Sequence, residues 1–296
     1  KTLKAGEKYH VRVEYYQQGG GAGVCFLWKR KNETQNKFAD YLNKADLVIA
    51  CFGHSSDTEG EASDRTFELP EVDKKMLASL SGCKKPVIGI VNAGGNIEMQ
   101  KWEPSLKGLI WGFYGGQEAG TAIGEALFGK VNPSGKLPMT FEKKWEDNPA
   151  YKSYHDPDKD KHVAYTEGIF IGYRGYDKLK REVQYPFGYG LSYTTFKLSN
   201  IVVSKPNADG TVEVTCRLAN TGKRDGAQVI QALSRGLGDV YKRQESTTVK
   251  MTLPKESFMY FNVNRTQFVT DPGIYNIMLG FSSRDIKAQK NIQYTL

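Results

Sequence analysis

Residues 53–65, GHSSDTEGEASDR, bring several groups that could transfer protons into one short segment. The segment contains one histidine, one arginine and four carboxylates, which are Asp57, Glu59, Glu61 and Asp64. Carboxylates that lie close together repel one another unless water, cations or hydrogen bonds compensate, so one of them can titrate unusually and act as a general acid or base. The alternative that the residue types leave open is a solvated acidic loop.

Metal and cofactor chemistry is not expected from the remaining reactive side chains. We interpret His54, beside the carboxylates, as a hydrogen-bonding loop residue, and the other histidines form no helical metal pair. The cysteines lack the close pairing of a zinc site and lie in apolar or strand-like segments. We therefore expect four buried free thiols, at Cys25, Cys51, Cys83 and Cys216.

Alternating strands and helices surround the acidic segment. ADLVIACF (45–52), PVIGIV (86–91) and LKGLIWGFY (106–114) predict strands, and residues 71–80 and 117–128 predict the helices between and after them. This order predicts a parallel sheet with right-handed crossovers, whose ligands gather at the carboxyl ends of the strands. The acidic segment lies at such an end, which favours a functional role. NAGGN (92–96) lacks the residues of a phosphate-binding loop and predicts a tight turn.

Length and charge exclude several classes of protein. The chain has 296 residues, enough for roughly two domains. Lysine and arginine number 41 against 33 acidic residues, but they are scattered, so no basic stripe predicts nucleic-acid binding. No apolar segment reaches the roughly 20 residues of a membrane helix. Because the chain begins at Lys1 in the middle of a strand pattern, we interpret it as a fragment.

Both ends of the chain predict β structure. Residues 1–31 contain YHVRVEYY, GGGAG and VCFLWKR, a β-hairpin pattern. Beyond Phe196, alternating segments such as TVEVTCRLANTG and GAQVIQA predict a sandwich of the immunoglobulin or fibronectin type III kind. Residues 234–244, SRGLGDVYKRQ, break this alternation, and DVYKRQ resembles a translated sequencing adapter. We interpret them as an assembly artefact, with a natural basic loop as the alternative.

Nearly the whole chain resembles the family 3 glycoside hydrolases, the β-glucosidase and β-xylosidase group. Residues 111–141, WGFYGGQEAGTAIGEALFGKVNPSGKLPMTF, resemble the stretch that closes the family's α/β sandwich domain. Residues 165–195, YTEGIFIGYRGYDKLKREVQYPFGYGLSYTT, resemble its passage into a fibronectin type III-like domain, and the first 31 residues resemble the end of a PA14 domain.

The resemblance implies an α/β fold class with four segments. These are a PA14 remnant with its β-hairpin (1–33), a mostly parallel-sheet α/β sandwich (38–164), a linker region (165–195) and an all-β fibronectin type III-like sandwich (196–296).

The resemblance also implies a role for the acidic segment. In the family this loop presents the general acid/base to a sugar site on a neighbouring (β/α)8 barrel, and the matching glutamate precedes an arginine by four positions. Here that pair is Glu61 and Arg65; Glu59 is the alternative, because the EGE doublet lets an alignment slip by two. Since direct pairing with the acid would oppose proton donation, we expect Arg65 to brace Asp64 or the loop backbone.

The implied activity is that of a retaining β-glucosidase-like enzyme acting on non-reducing terminal β-D-glucosyl residues of oligosaccharides or glycosides. The family's nucleophile is an aspartate of the barrel domain, so no residue here takes that role and the isolated chain is expected to be inactive. The resemblance implies no cofactor and a secreted or periplasmic location. A β-xylosidase or N-acetylhexosaminidase parent, and a non-catalytic carbohydrate-binding or interaction fragment, remain alternatives.

Overall fold

The structure, a computed structural model, describes residues 4, 6–13, 36–154, 161–232, 235–241 and 245–295. The chain divides into two compact units, Lys1–Asp46 and Leu47–Leu296. In the first unit, helix α1 spans Asn36–Lys44, and residues 6–13 form neither helix nor strand. The rest of the predicted N-terminal hairpin lies outside the described residues, so the hairpin and the PA14 remnant stay predictions.

The second unit begins with a three-stranded parallel sheet. Strands β1 (Val48–Gly53), β2 (Val87–Asn92) and β3 (Gly108–Trp111) pair in the order β1-β2-β3. Helix α2 (Glu71–Ser79) follows β1, and helix α3 (Ala119–Leu127) follows β3. The alternating pattern therefore predicted the element types correctly here. Because all three strands run in one direction, the loops that follow them leave the same edge of the sheet.

Local contacts define how α2 is joined to the sheet. Pro70 fixes the start of the helix, where its carbonyl accepts bonds from the Asp73 and Lys74 N–H groups at 3.0 Å. The Asp73 carboxylate also accepts the Gly53 N–H at 3.0 Å, which links the first turn of α2 to the end of β1. The acidic loop is thus anchored at the two elements that flank it.

A short antiparallel pair closes the α/β part. It consists of β4 (Phe141–Glu142) and β5 (Val183–Tyr185), with helix α4 (Tyr173–Lys178) between them in sequence. Phe141 is fully buried and packs edge-on against Trp111 of β3, with ring centroids 4.7 Å apart. The predicted linker region, residues 165–195, therefore contains regular structure that pairs back onto the preceding segment.

Apart from a 3-10 helix at Lys255–Phe258, the remainder is β structure, as the alternation predicted. The strands are β6 (Phe196–Val203), β7 (Val212–Asn220), β8 (Gly226–Ala232), β9 (Arg235–Tyr241), β10 (Ser246–Leu253), β11 (Tyr260–Asn262), β12 (Gln267–Val269), β13 (Gly273–Gly280) and β14 (Ile286–Tyr294). One sheet has the order β10-β7-β6, a second has the order β14-β13-β8-β9, and β11 pairs with β12. Alternate residues of β7 are buried, and they form one core with residues of β8, β10, β13 and β14.

The structure differs from the sequence expectations at residues 235–241 and at Cys51. Residues 235–241, expected to break the strand pattern, form β9 and pair antiparallel with β8 from Gly226↔Tyr241 to Ala232↔Arg235. The interpretation of residues 234–244 as an assembly artefact stays a prediction. The expectation of buried cysteines is wrong for Cys51, which is exposed because it faces outward on β1, the outer strand of the sheet, where exposed residues alternate with buried ones. Cys216 is buried, Cys83 is partly exposed and Cys25 lies outside the described residues.

Among the described residues, every helix is too short or too polar to span a lipid bilayer.

Candidate active site

Three loops meet at the carboxyl edge of the parallel sheet. The acidic loop follows β1, NAGGN follows β2, and Gly112 to Gly115 follow β3. Glu59 joins all three. Its Oε1 accepts a hydrogen bond from Arg65 Nε at 3.0 Å. Its Oε2 accepts hydrogen bonds from the Gly94 N–H at 3.0 Å and from the Tyr114 hydroxyl. We call this group the Glu59 clamp; it consists of Glu59, Arg65, Gly94 and Tyr114.

The clamp holds Glu59 in its ionised form. Burial raises the pKa of Glu59, but the bonds from Tyr114, Gly94 and Arg65, together with the charge of Arg65, outweigh burial and lower the pKa below its ordinary value of 4.5. The pKa of Tyr114 rises to about 12, because of burial and because its hydroxyl donates to the Glu59 carboxylate. Glu59 therefore accepts hydrogen bonds at neutral pH and has no proton to donate.

The two glycines of NAGGN leave room for this clamp. A Cβ at Gly94 would lie 3.0 Å from Glu59 Oε1 and 3.3 Å from Tyr114 Cε2, and a Cβ at Gly95 would lie 3.4 Å from Arg65 Nη2. The loop is not only the tight turn that its composition predicted. It is also a surface on which the Glu59 and Arg65 side chains lie.

Arg65 braces the loop backbone, as expected, but it does not brace Asp64. Its other bonds go to the Asn96 carbonyl at 2.7 Å and the Thr66 carbonyl at 3.0 Å. Asp64 instead accepts the Tyr154 hydroxyl at 2.7 Å. The guanidinium nitrogens of Arg65 are directed to Glu59 and to two carbonyl groups, so of the two partners expected for Arg65 the structure shows the loop backbone.

Glu61 lies at the tip of a tight turn between Glu59 and Arg65. Gly60 and Ser63 form an isolated antiparallel bridge, and Ser63 Oγ donates to the Gly60 carbonyl at 3.3 Å. Ala62 adopts a φ of 57°, a left-handed conformation that costs energy for a residue with a Cβ. Glu61 is exposed and makes no hydrogen bond or ion pair within the described residues. Its carboxylate is thus free to contact a molecule outside this chain.

His54 is a structural residue of the loop, which agrees with the interpretation from sequence. It is 6% exposed, and its Nδ1 lies 3.1 Å from Thr58 Oγ1. Burial, and then the nearby charge of Arg65, lower the pKa of His54, so the ring is neutral near pH 7. A neutral ring supports the loop without adding a charge.

A cavity of about 890 Å³ lies beside the turn. Its lining includes the charged residues Asp64 and Arg65 and the aromatic residues Trp145, Tyr154 and Tyr173. Aromatic rings combined with a few polar groups are typical of small-molecule sites. The acidic loop gives no indication of these aromatic residues in the sequence, because they come from segments 80 or more positions beyond it.

No metal site is present in the part of the chain that the structure describes. None of its groups of three or more histidine, cysteine, aspartate or glutamate side chains could hold a metal ion. The chemistry available at this edge of the sheet is proton transfer by carboxylates and hydrogen bonding by the clamp.

Comparisons with known proteins cover most of the chain. Residues 4–173 match the glycosyl hydrolase family 3 C-terminal domain, and residues 242–283 match the fibronectin type III-like domain. A putative β-glucosidase of Schizosaccharomyces pombe is 33% identical over 315 residues, covering 96% of this chain and 37% of that protein. An exo-α-(1→6)-L-arabinopyranosidase of Bifidobacterium longum is 32% identical over 268 residues, covering 85% and 35%.

Solved structures give the same result. The crystal structure of a family 3 β-glucosidase from Bifidobacterium adolescentis matches with a TM-score of 0.81 and 29% sequence identity, over 91% of this chain and 42% of that one. The chain thus spans 35–42% of the length of these proteins.

Proposed function

Since this chain belongs to glycosyl hydrolase family 3, we propose that it is the part of a retaining β-glucosidase-like enzyme that supplies the general acid/base, Glu61. The parent enzyme hydrolyses non-reducing terminal β-D-glucosyl residues of oligosaccharides or glycosides. The observation that carries the proposal is the exposed Glu61 carboxylate at the tip of a turn that is fixed on both sides, at the ligand-binding edge of a parallel sheet.

The chemistry needs two carboxylates. A nucleophilic carboxylate attacks the anomeric carbon while the bond from that carbon to the leaving oxygen breaks, and Glu61 donates its proton to this oxygen. Glu61 then takes a proton from water as the water attacks the glycosyl-enzyme, which releases the sugar and restores the nucleophile. The two carboxylates of a retaining enzyme lie roughly 5 Å apart. We assign the nucleophile to a (β/α)8 barrel domain, so hydrolysis of the substrate requires that domain as a partner.

The lengths of the relatives support this division. Each relative compared is more than twice as long as the segment it shares with this chain. Because covalent catalysis needs both carboxylates, the isolated chain should be inactive. By the same family resemblance we place the parent enzyme in the secreted or periplasmic fraction, and cell fractionation would check this.

One assay would determine the sugar specificity of the parent enzyme. A β-xylosidase or N-acetylhexosaminidase is the alternative within the family. The arabinopyranosidase relative differs from a β-glucosidase by name in both the sugar and the anomeric configuration. Comparing aryl β-glucoside, β-xyloside and N-acetyl-β-glucosaminide on one protein would rank these activities.

The cavity beside the turn favours a second candidate function, carbohydrate binding without catalysis. Trp145, Tyr154 and Tyr173 could contact a sugar ring there, and Asp64 could accept its hydroxyl groups. Calorimetric titration of the isolated chain with cellobiose, and of its Trp145→Ala variant, tests this function. Binding that is lost in the variant would support it, and no binding to the unchanged chain would exclude it for cellobiose.

The experiment for the catalytic function joins this chain to a family 3 barrel domain. We expect turnover of aryl β-glucosides by the joined protein, none by the isolated chain, and a loss of about 10²–10⁴-fold in Glu61→Ala. Azide, a nucleophile that needs no general base, should restore turnover of an activated glucoside in Glu61→Ala and form the glucosyl azide. Glu68→Ala is the matched control, since Glu68 is paired with Lys74 and Lys101 away from the turn. Full activity of Glu61→Ala would refute the assignment.

A further inference from the structure

We infer that Glu59 is a positioning residue, whose carboxylate holds the loops after β1, β2 and β3 together and thereby fixes the turn that carries Glu61. This inference rests on the proposed function, because it gives Glu59 a part in presenting the acid/base. It also assigns different roles to the two glutamates of the EGE doublet.

The Glu59 side chain connects segments that are distant in the sequence. Gly94 lies 35 residues beyond Glu59 and Tyr114 lies 55 residues beyond it, yet both donate to the same oxygen, Oε2. The other oxygen, Oε1, accepts from Arg65 at the far side of the turn. Removing this carboxylate would leave the three loops without their common contact.

The hydrogen bonds of the clamp occupy the Glu59 carboxylate. Both of its oxygens accept bonds from N–H or O–H groups, and its side chain is only 22% exposed. These bonds favour its ionised form, as the lowered pKa indicates. A general acid must hold a proton near neutral pH, and Glu59 does not meet this condition.

The clamp lies close to the turn that carries Glu61. Glu59 and Arg65 flank residues 60–64, and the bridge between Gly60 and Ser63 lies within this segment. Glu61 is thus two residues from one end of an ion pair and four from the other. Catalysis depends strongly on such placement, since a displacement of about 1 Å can lower a rate by about 10²-fold.

The first experiment measures amide hydrogen exchange in the full 296-residue chain and needs no barrel domain. In Glu59→Ala we expect exchange of the Gly94 amide to become about tenfold faster, because its bond to the carboxylate is lost. Glu68→Ala, the same change at another ion-paired glutamate of this region, should leave Gly94 exchange unchanged. If Glu59→Ala does not fold, Tyr114→Phe removes one bond from the clamp and should speed Gly94 exchange by about threefold. Unchanged Gly94 exchange in a folded clamp variant would overturn the inference.

The second experiment uses the chain joined to a family 3 barrel domain and two glucosides. Dinitrophenyl glucoside releases a phenolate that needs no proton, whereas cellobiose releases an alcohol that does. We expect Glu59→Ala to lose about 10²-fold in kcat/KM on cellobiose and clearly less on the dinitrophenyl glucoside, since its effect acts through Glu61. Equal losses on both substrates would show a merely structural role. Azide rescue of Glu59→Ala but not of Glu61→Ala would make Glu59 the acid/base, and would likewise overturn the inference.

The two experiments separate this inference from the proposed function. If Glu61→Ala of the joined protein stays fully active, the proposed function fails, while the Gly94 exchange still reports whether the clamp exists. If Gly94 exchange does not respond to Glu59→Ala but azide rescues Glu61→Ala, the proposed function stands and the positioning role fails.

Discussion

The ion pair between Glu59 and Arg65 should stabilise the α/β part of the chain, and a double-mutant cycle measures by how much. Arg65 Nε lies 3.0 Å from Glu59 Oε1, and the side chains are 15% and 22% exposed. Hydrogen bonds to charged groups contribute about 1.5–3 kcal/mol, and pairs on the surface contribute about 0.2–1 kcal/mol. Because both side chains keep some solvent contact, we expect a coupling free energy of about 1–2 kcal/mol between Glu59→Ala and Arg65→Ala at pH 7.

Tryptophan fluorescence during urea unfolding is the suitable assay. Trp102, Trp111 and Trp145 lie in the α/β part, the fourth tryptophan is Trp28, and residues 165–296 contain none, so the signal does not report the β sandwich. Urea is preferable to guanidinium chloride, since a salt would screen the pair. A second cycle on Glu68 and Lys74, whose side chains are 46% and 37% exposed, is the control and should give a clearly smaller coupling.

The pH dependence of this coupling has a definite sign. Against the effect of burial, the clamp lowers the pKa of Glu59 in the folded chain below the ordinary value of 4.5. The stabilisation is therefore fully present above about pH 4.5 and is lost as pH falls through the lower folded pKa. A coupling at pH 7 no larger than that of the control cycle would refute our reasoning. A coupling that is unchanged in acid, where Glu59 is protonated, would refute it as well.

Three further predictions test other parts of the structure. Leu218→Ala should lower the free energy of unfolding of the β sandwich by about 3 kcal/mol in a circular-dichroism melt, because Leu218 is fully buried. The control is Val202→Ala, which should have little effect because Val202 is 60% exposed. Tyr176→Phe should cost about 1–2 kcal/mol in the fluorescence assay, since it removes a donor at 3.1 Å from the buried Glu142 carboxylate, and an unchanged midpoint would contradict this contact. Ala62→Gly should not destabilise the chain, whereas Ala62→Val should lower the free energy of unfolding by at least about 1 kcal/mol, because φ at this position is 57°. Equal unfolding midpoints for the two variants would argue against the left-handed turn.

The sequence pattern was sufficient for the parallel sheet and for the location of the acidic loop. Short apolar runs separated by helical periods predict strands that run in one direction, and the loops then leave a common edge. The exposure of Cys51 could not be predicted, because alternation in β1 shows that two faces differ but does not show which face is covered. The strand at residues 235–241 was missed since pairing with β8 is a tertiary contact and the local alternation there is poor.

The contacts of the candidate site lie beyond local sequence reasoning for a similar reason. Tyr114 is 55 residues from Glu59, and nothing in the types of these two residues indicates that they meet. The available signal was topological: both follow strands that share a carboxyl edge, so a tyrosine three residues beyond β3 could have been placed near the acidic loop.

Glu59 and Glu61 show how one sequence pattern can produce two opposite environments. One residue separates them, but the turn directs Glu59 towards Gly94 and Tyr114 and leaves Glu61 exposed. A carboxylate that already accepts bonds from three groups is stabilised as an anion, whereas an exposed carboxylate takes its properties from the molecule that covers it. Holding a loop as an anion and donating a proton are opposed demands on one carboxylate. In our proposal they therefore fall on different side chains, with Glu59 holding the loop and Glu61 donating the proton.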